Sequence, residues 1–200
     1  MSPKTTYHHG DLRSALIEAG LRVLQQEGLN ALSLRRVARE AEVSAMAPYR
    51  HFKDKQSLLA AISEKGFVEL HELLEQANQD HPGDLDASGQ AYLSFALKEP
   101  ETYRLMFTQK VLCEGEDNET LEEAGSSAFE SLVKTIEVGI ESGKIKETTS
   151  LDLALTAWSL VHGISMLLID GILENNPYKE LTPEQVLSLC QNYFKNGWRS

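Results

Sequence analysis

Leu32-Ser-Leu-Arg-Arg-Val-Ala-Arg-Glu-Ala-Glu-Val-Ser-Ala-Met-Ala-Pro-Tyr-Arg-His-Phe-Lys-Asp-Lys55 is the stretch whose reading decides the fold. Ser33 stands where an N-cap belongs, since its hydroxyl can take up an unpaired N–H of a helix's first turn. Leu34, Val37, Ala38 and Ala41 then recur at spacings of three and four, one apolar stripe over two turns, and Arg35, Arg36 and Arg39 fall off it. The periodicity breaks at Glu42-Val43, Ser44 offers a second N-cap, and Ala45 to Phe52 is predicted to make about two further helical turns. Two short helices joined by so few residues must cross steeply, which is the helix-turn-helix arrangement.

In order along the chain, Val37-Ala38-Arg39-Glu40-Ala41, Val43-Ser44, Tyr49-Arg50-His51-Phe52, Lys55 and Leu58-Leu59 resemble the DNA-binding core of the tetracycline-repressor (TetR) family. One position departs from that pattern: Glu42 occupies the turn where the family usually has glycine. At positive φ a glutamate there costs about 1 kcal/mol relative to glycine, and its charge weakens phosphate affinity slightly.

The second helix of such a motif enters the DNA major groove. Ser44, Ala45, Met46 and Ala47 begin it, so their N–H groups and side chains face the groove or the phosphates. Alanine and methionine offer base edges little beyond contact with thymine methyl groups. Pro48 lies in the first turn, where a missing N–H costs little. Tyr49, Arg50 and His51 follow, and the resemblance implies that Tyr49 and Lys55 meet phosphates; the Tyr49 ring can pack inward while its hydroxyl reaches out, and Phe52 reads as core. Ser33 and Arg35 or Arg36 are expected on the flanking backbone, with a solvated face the alternative for either arginine.

The chain has 200 residues, 42% of them apolar and 24% charged, an ordinary balance for one or two folded domains and a poor one for disorder. A net charge of −11 argues against a nucleic-acid partner until its distribution is read. Residues 1–66 hold 10 Lys+Arg against 7 Asp+Glu, and residues 67–200 hold 9 against 23. A mildly basic N-terminal unit joined to an acidic body suits a DNA reader carrying a regulatory domain, although acidity in the body alone is equally a solubility device. Cys113 and Cys190 have no metal-ligand spacing and no signal peptide stands ahead of them, so a reducing, cytoplasmic setting is expected. The longest apolar candidate, Leu151 to Leu173, is interrupted by Asp152, Ser159, His162, Ser165 and Asp170, and no membrane span is expected.

An all-α fold of about nine helices is predicted, with no internal repeat and no convincing strand pair. Residues 1–8 read as a flexible arm and 9–66 as a three-helix helix-turn-helix domain. Residues 67–200 read as a ligand-binding and dimerisation domain. Leu12, Ala15, Leu16, Ala19 and Val23 form the face of a first helix that Gly28 ends. A long helix from Lys55 to about Asn78 belongs to both domains. Helices follow at Leu85–Lys98, from Pro100 through Phe107, at about Leu121–Ser142, at Leu151–Asn175 and from Pro183 to about Gly197, with an acidic loop from Glu114 to Glu123. His8-His9 lacks any further ligand at a usual spacing and reads as solvated or close to DNA rather than as a metal site.

Tyr7-His8-His9-Gly10-Asp11-Leu12-Arg13, Pro100-Glu101-Thr102-Tyr103-Arg104-Leu105-Met106-Phe107 and Ala157-Trp158-Ser159-Leu160-Val161-His162-Gly163-Ile164-Ser165 are similar to one TetR subgroup with a tryptophan-histidine-glycine signature in its C-terminal domain. That resemblance implies a homodimer through the last two helices, about 151–175 and 183–197, and a regulatory domain able to hold a small apolar or amphipathic effector. Trp158 and His162, four apart, share a helix face, and Gly163 allows close approach of another helix. Three readings stay open for them: ordinary core, an apolar cavity formed with Tyr103, Met106 and Phe107, or an interface.

Catalysis is not expected. Gly139-Ile-Glu-Ser-Gly143-Lys144 lacks the spacing and the Ser/Thr of a phosphate-binding loop, and His71-Glu72 has Glu75 where a zinc-protease helix needs a second histidine. No cofactor or metal is implied. The expected function is a homodimeric, ligand-responsive repressor on double-stranded operator DNA; the alternative is a helical dimerisation or adaptor protein without operator binding.

Overall fold

The computed structural model describes residues 9–108 and 119–196, all of them in helices, turns and connecting segments. The expected arm over residues 1–8, with His8, and most of the acidic loop from Glu114 lie outside the described residues. Helix α1 is His9–Glu27, α2 Leu34–Glu40, α3 Lys55–Asp80, α4 Leu85–Lys98 and α5 Pro100–Met106. Helix α6 is Glu119–Glu141, α7 Ser150–Ile169 and α8 Pro183–Asn196, with single 3-10 turns at Pro48–Arg50 and Ile172–Asn175.

The described residues form eight α-helices, the all-α fold expected. The expected helix from Ala45 to Phe52 is instead a run of short turns around the 3-10 turn Pro48–Arg50. Ala47 N–H donates to the Ser44 carbonyl at 2.9 Å, Arg50 N–H to Ala47 at 3.2 Å and His51 N–H to Pro48 at 2.9 Å. Pro48 has no N–H to return to Ser44, so the i→i−4 ladder cannot start before it, and the segment tightens into i→i−3 turns. The expected helix Leu151–Asn175 also stops early, at Ile169, because Gly171 turns left-handed at φ 66° and its N–H bonds back to Leu168.

Other boundaries follow local chemistry. Gly28, at φ 78°, ends α1 and returns its N–H to the Leu24 carbonyl at 2.9 Å. Asp84 caps α4 by accepting from the N–H groups of Asp86 and Ala87 at 2.9 and 3.2 Å. Asp54 caps α3 through Ser57 N–H at 2.9 Å, while Asp54 N–H donates back to Ser57 Oγ at 3.2 Å.

The chain divides into two compact units, with the division inside α3 between Gly66 and Phe67. The first unit comprises the described residues of Met1–Gly66 together with those of Glu101–Glu123. Its core is Leu16, Ala19, Val23 and Leu24 of α1, Val37 and Ala38 of α2, Phe52, and Leu58 and Ile62 of α3, all buried. Each fully buried leucine, isoleucine or phenylalanine contributes about 1.5–3 kcal/mol, which a two-helix motif alone could not gather. Gly20 lets α1 cross α3 closely: a Cβ there would stand 2.8 Å from Ile62 Cδ1.

The second unit holds Phe67–Pro100 and the described residues of Ala124–Ser200. Helix α4 packs on α7 and α8, and α7 on α8. Leu132, Ile136 and Ala154 centre a cluster that Phe129, Val133, Ile140 and Trp158 complete. His71 Nδ1 lies 2.7 Å from Ser131 Oγ, and Lys134 donates to Glu75 at 3.0 Å, so polar contacts tie the later turns of α3 to α6. By length and composition α7 is apolar enough to cross a membrane, with mean hydropathy 1.5 over its best window, and it is the one such helix among the described residues. Here one of its faces, carrying Ala154, Ala157, Val161 and Ile164, is buried in the unit.

Candidate nucleic-acid interface

The first unit presents its motif from the bottom of α2 upward. Ser33 is the N-cap, extended at φ −153°, and its Oγ accepts from Arg36 N–H at 3.2 Å. Leu34, Val37 and Ala38 are buried, which leaves Arg35 and Arg39 exposed on the other side of the helix. Arg36 behaves differently. Its guanidinium donates to Glu27 at 2.5 Å and to Glu40 at 3.0 Å, and Glu40 also accepts from Arg22 at 3.1 Å. These hydrogen bonds hold the Glu27 carboxyl below the usual carboxylate range, chiefly through Arg36, and the Glu40 carboxyl likewise, chiefly through Arg22 and then Arg36. Arg36 thus joins α1 to α2, whereas Arg35 projects into solvent.

Glu42 occupies the turn with φ 55°, the one positive-φ residue other than glycine among the described residues. It shares the rim of an open hollow with Glu27, Arg36, Arg39 and Glu40. Beyond it Ser44, Ala45 and Met46 are exposed, Ala47 is half-buried and Pro48 is buried, so the proline anchors the segment that the preceding residues extend into solvent. Met46 is 68% exposed, more than any other large apolar side chain among the described residues, and Tyr49 is 45% exposed. Arg50 is exposed, His51 half-buried and Phe52 buried at 3%. The Arg13 guanidinium lies over the Phe52 ring, 5.8 Å from its centroid.

Lys55, in the first turn of α3, is half-buried, and its Nζ donates to the Leu29 carbonyl at 2.9 Å. That bond fastens α3 to the loop between α1 and α2. The Arg36–Glu40 pair was readable as an i,i+4 spacing. Nothing in the sequence signalled Glu27 or the Leu29 carbonyl, which only the fold brings near.

The five residues grouped as an effector lining fall in different units. Tyr103, Met106 and Phe107 belong to the first, where Tyr103 and Met106 are fully buried and the Tyr103 and Phe107 rings meet edge-on at 5.1 Å. Met106 covers Gly66, where a Cβ would stand 2.6 Å from its sulfur. Trp158 and His162 belong to the second unit, with ring centroids 6.1 Å apart. Between them stands a residue the sequence did not single out: Tyr92 of α4, buried at 5%. Trp158 Nε1–H donates to its hydroxyl at 3.2 Å, and that hydroxyl lies 3.3 Å from His162 Nδ1. The Tyr92 hydroxyl can accept from the indole and still either donate to Nδ1 or accept from it, so it links the two rings in either tautomer of His162. Burial pushes the His162 pKa down. Among the described residues no group of three or more His, Cys, Asp or Glu side chains could hold a metal ion.

Comparison with known proteins agrees with this architecture. Residues 16–62 match the family of bacterial regulatory proteins of the tetR type, and residues 85–186 match the tetracyclin repressor-like C-terminal domain. The HTH-type transcriptional regulator YobS of Bacillus subtilis is 25% identical over 170 residues, 84% of this chain and 82% of that one. A protein of unknown function from Rhodococcus sp. RHA1 is 32% identical, with a TM-score of 0.81 over 98% of this chain and 100% of that one. PfmR from Thermus thermophilus, a TetR-family transcriptional regulator, shares the fold at 18% identity, with a TM-score of 0.67 over 92% of this chain and 99% of that one. With both family models matched along one chain, over the motif and over the helices that follow it, this protein belongs to the tetracycline-repressor (TetR) family of bacterial regulatory proteins.

Proposed function

We propose that this chain is a cytoplasmic, ligand-responsive repressor that binds a pseudo-palindromic operator as a homodimer. The observation that carries the reading is the exposed segment Ser44–Met46 with Tyr49, held out on the buried Pro48 and flanked by the exposed Arg35, Arg39 and Arg50. Surface of that kind, on the basic part of an acidic chain, suits groove and phosphates together. Ser33, Ser44, Ala45, Met46, Ala47, Tyr49, Arg50, His51 and Lys55 are the proposed contact set with Arg35. Arg36 is better read as a strut, because its charge is already met by two carboxylates.

A dimer through α7 and α8 is favoured by apolar side chains that the second unit leaves uncovered. Leu151 and Leu155 are 58% and 56% exposed and Tyr193 is 60% exposed. One recognition segment per chain offers few base contacts, so two half-sites roughly 34–36 Å apart, or a multiple of it, supply the specificity. For the effector, the Tyr92–Trp158–His162 cluster is a small polar group among apolar side chains, the composition of a ligand site for an apolar or amphipathic molecule. We also propose that the chain falls in the subgroup with the tryptophan-histidine-glycine signature, on Trp158, His162 and Gly163. Helix α3, which carries residues of both units, is the element whose tilt would pass occupancy on to the motif. A coupling of about 1–3 kcal/mol would lower operator affinity roughly 5–150-fold.

Selection from random duplexes, followed by affinity measurement on full and half operators, tests the reading. The full operator is expected to bind far more tightly than one half-site. Equal affinity for both would refute the dimeric mode, and recovery of no duplex at all would favour the adaptor reading.

A further inference from the structure

We infer that the operator half-site places a thymine against Met46, and that this side chain reads the thymine methyl group in the major groove. The inference rests on the DNA-binding reading above and names the base that reading leaves open. Met46 carries no hydrogen-bond donor and only a weak sulfur acceptor, so the amino, keto and ring-nitrogen groups of adenine, guanine and cytosine offer it little. The one apolar group a base pair presents in the major groove is the C5 methyl of thymine.

The geometry singles out Met46 among its neighbours. Ala45 is exposed but short, Ala47 is half-buried, Pro48 is buried, and Met46 is 68% exposed. It stands just ahead of the 3-10 turn Pro48–Arg50, in which Tyr49 is 45% exposed. A phosphate-reaching tyrosine and a base-reaching methionine thus lie within one short exposed segment. Exposed Arg35, Arg39 and Arg50 in the same unit favour a strongly anionic partner over an apolar protein surface. Methionine is unbranched and polarizable, able to settle over a methyl group without strict geometry.

Replacing thymine by uracil removes only that methyl, which makes the test clean. On the duplex that selection delivers, each half-site thymine is replaced in turn by uracil, symmetrically in both half-sites. Binding is then measured for the full chain and for Met46→Ala. At one position wild type is expected to lose about fourfold for each methyl removed, hence about 15-fold over two half-sites, while Met46→Ala binds thymine and uracil duplexes alike. Wild type indifferent to uracil at every position would overturn the inference while leaving DNA binding intact. Met46→Ala retaining the full uracil penalty would overturn it as well, because another side chain would then read the methyl. Failure of wild type to retain any duplex would overturn the DNA-binding reading and this inference with it.

Discussion

Lys55 Nζ donates to the carbonyl oxygen of Leu29 at 2.9 Å, across 26 residues of sequence. The bond ties the first turn of α3 to the loop ahead of α2, and so it positions the motif as well as carrying a charge. Lys55→Met keeps the alkyl stem and removes the ammonium. It is expected to destabilise folding by about 1 kcal/mol, read by urea denaturation. In the proposed complex the same charge offsets a phosphate, so the slope of log affinity against log salt should fall by about one. Reduced stability with an unchanged slope would make Lys55 a positioning residue only.

Glu42 is left-handed at φ 55°, where any residue with a Cβ is disfavoured. Glu42→Gly should raise stability by about 0.5–1 kcal/mol, the relieved strain less the greater freedom of glycine in the unfolded chain. Glu42→Ala removes the charge but keeps the Cβ and should give no such gain. A pair of thermal melts decides this. Equal effects of the two replacements would place the cause in the carboxylate and its neighbours Glu27 and Glu40, not in the backbone.

His162 titrates with its pKa below the ordinary value of 6.5 because burial disfavours the imidazolium. The folded state therefore favours the neutral ring, and this contribution is fully present above pH 6.5. It is lost as the pH falls from there through the lower folded-state value. Tm should drop as the pH falls below 6.5 in wild type and drop less in His162→Gln. Tyr92→Phe, which leaves Trp158 Nε1–H and His162 Nδ1 without that hydroxyl, should cost about 1–3 kcal/mol at neutral pH, read by urea denaturation.

Gly163 has nothing within 4 Å of where a Cβ would stand, so the base of a side chain there meets open space inside its own unit. Gly163→Leu should keep the helix content of wild type, since leucine favours helix over glycine. In the proposed dimer the added side chain obstructs the approaching copy. Sedimentation should then show a monomer, with operator affinity lower on the order of 10²-fold through loss of the linked second half-site. A variant that stays dimeric would move the interface off this face of α7.

What the sequence determined by itself is what depends on neighbours a few residues apart. Gly28 ended a helix because a left-handed residue costs glycine little; Pro100 opened one because its missing N–H is spare in a first turn. Ser33 capped α2, the three- and four-residue spacing of Leu34, Val37 and Ala38 set its buried face, and ordered motif residues carried the family. Pro48 was legible too, but its effect was misjudged: removing one i→i−4 bond from a segment this short leaves no helix to continue. What only the tertiary structure decided are the pairings between residues distant in the chain. Arg36 and Arg35 are adjacent and equally basic, yet Glu27 and Glu40 take the first while the second faces solvent. Tyr92 lies 66 and 70 residues from the tryptophan and histidine it joins, and no local period could assign it to them. Helix propensity and capping act through nearest turns of backbone, whereas charge and hydrogen-bond partners are set by which helices pack, and that packing is decided by the whole buried surface at once.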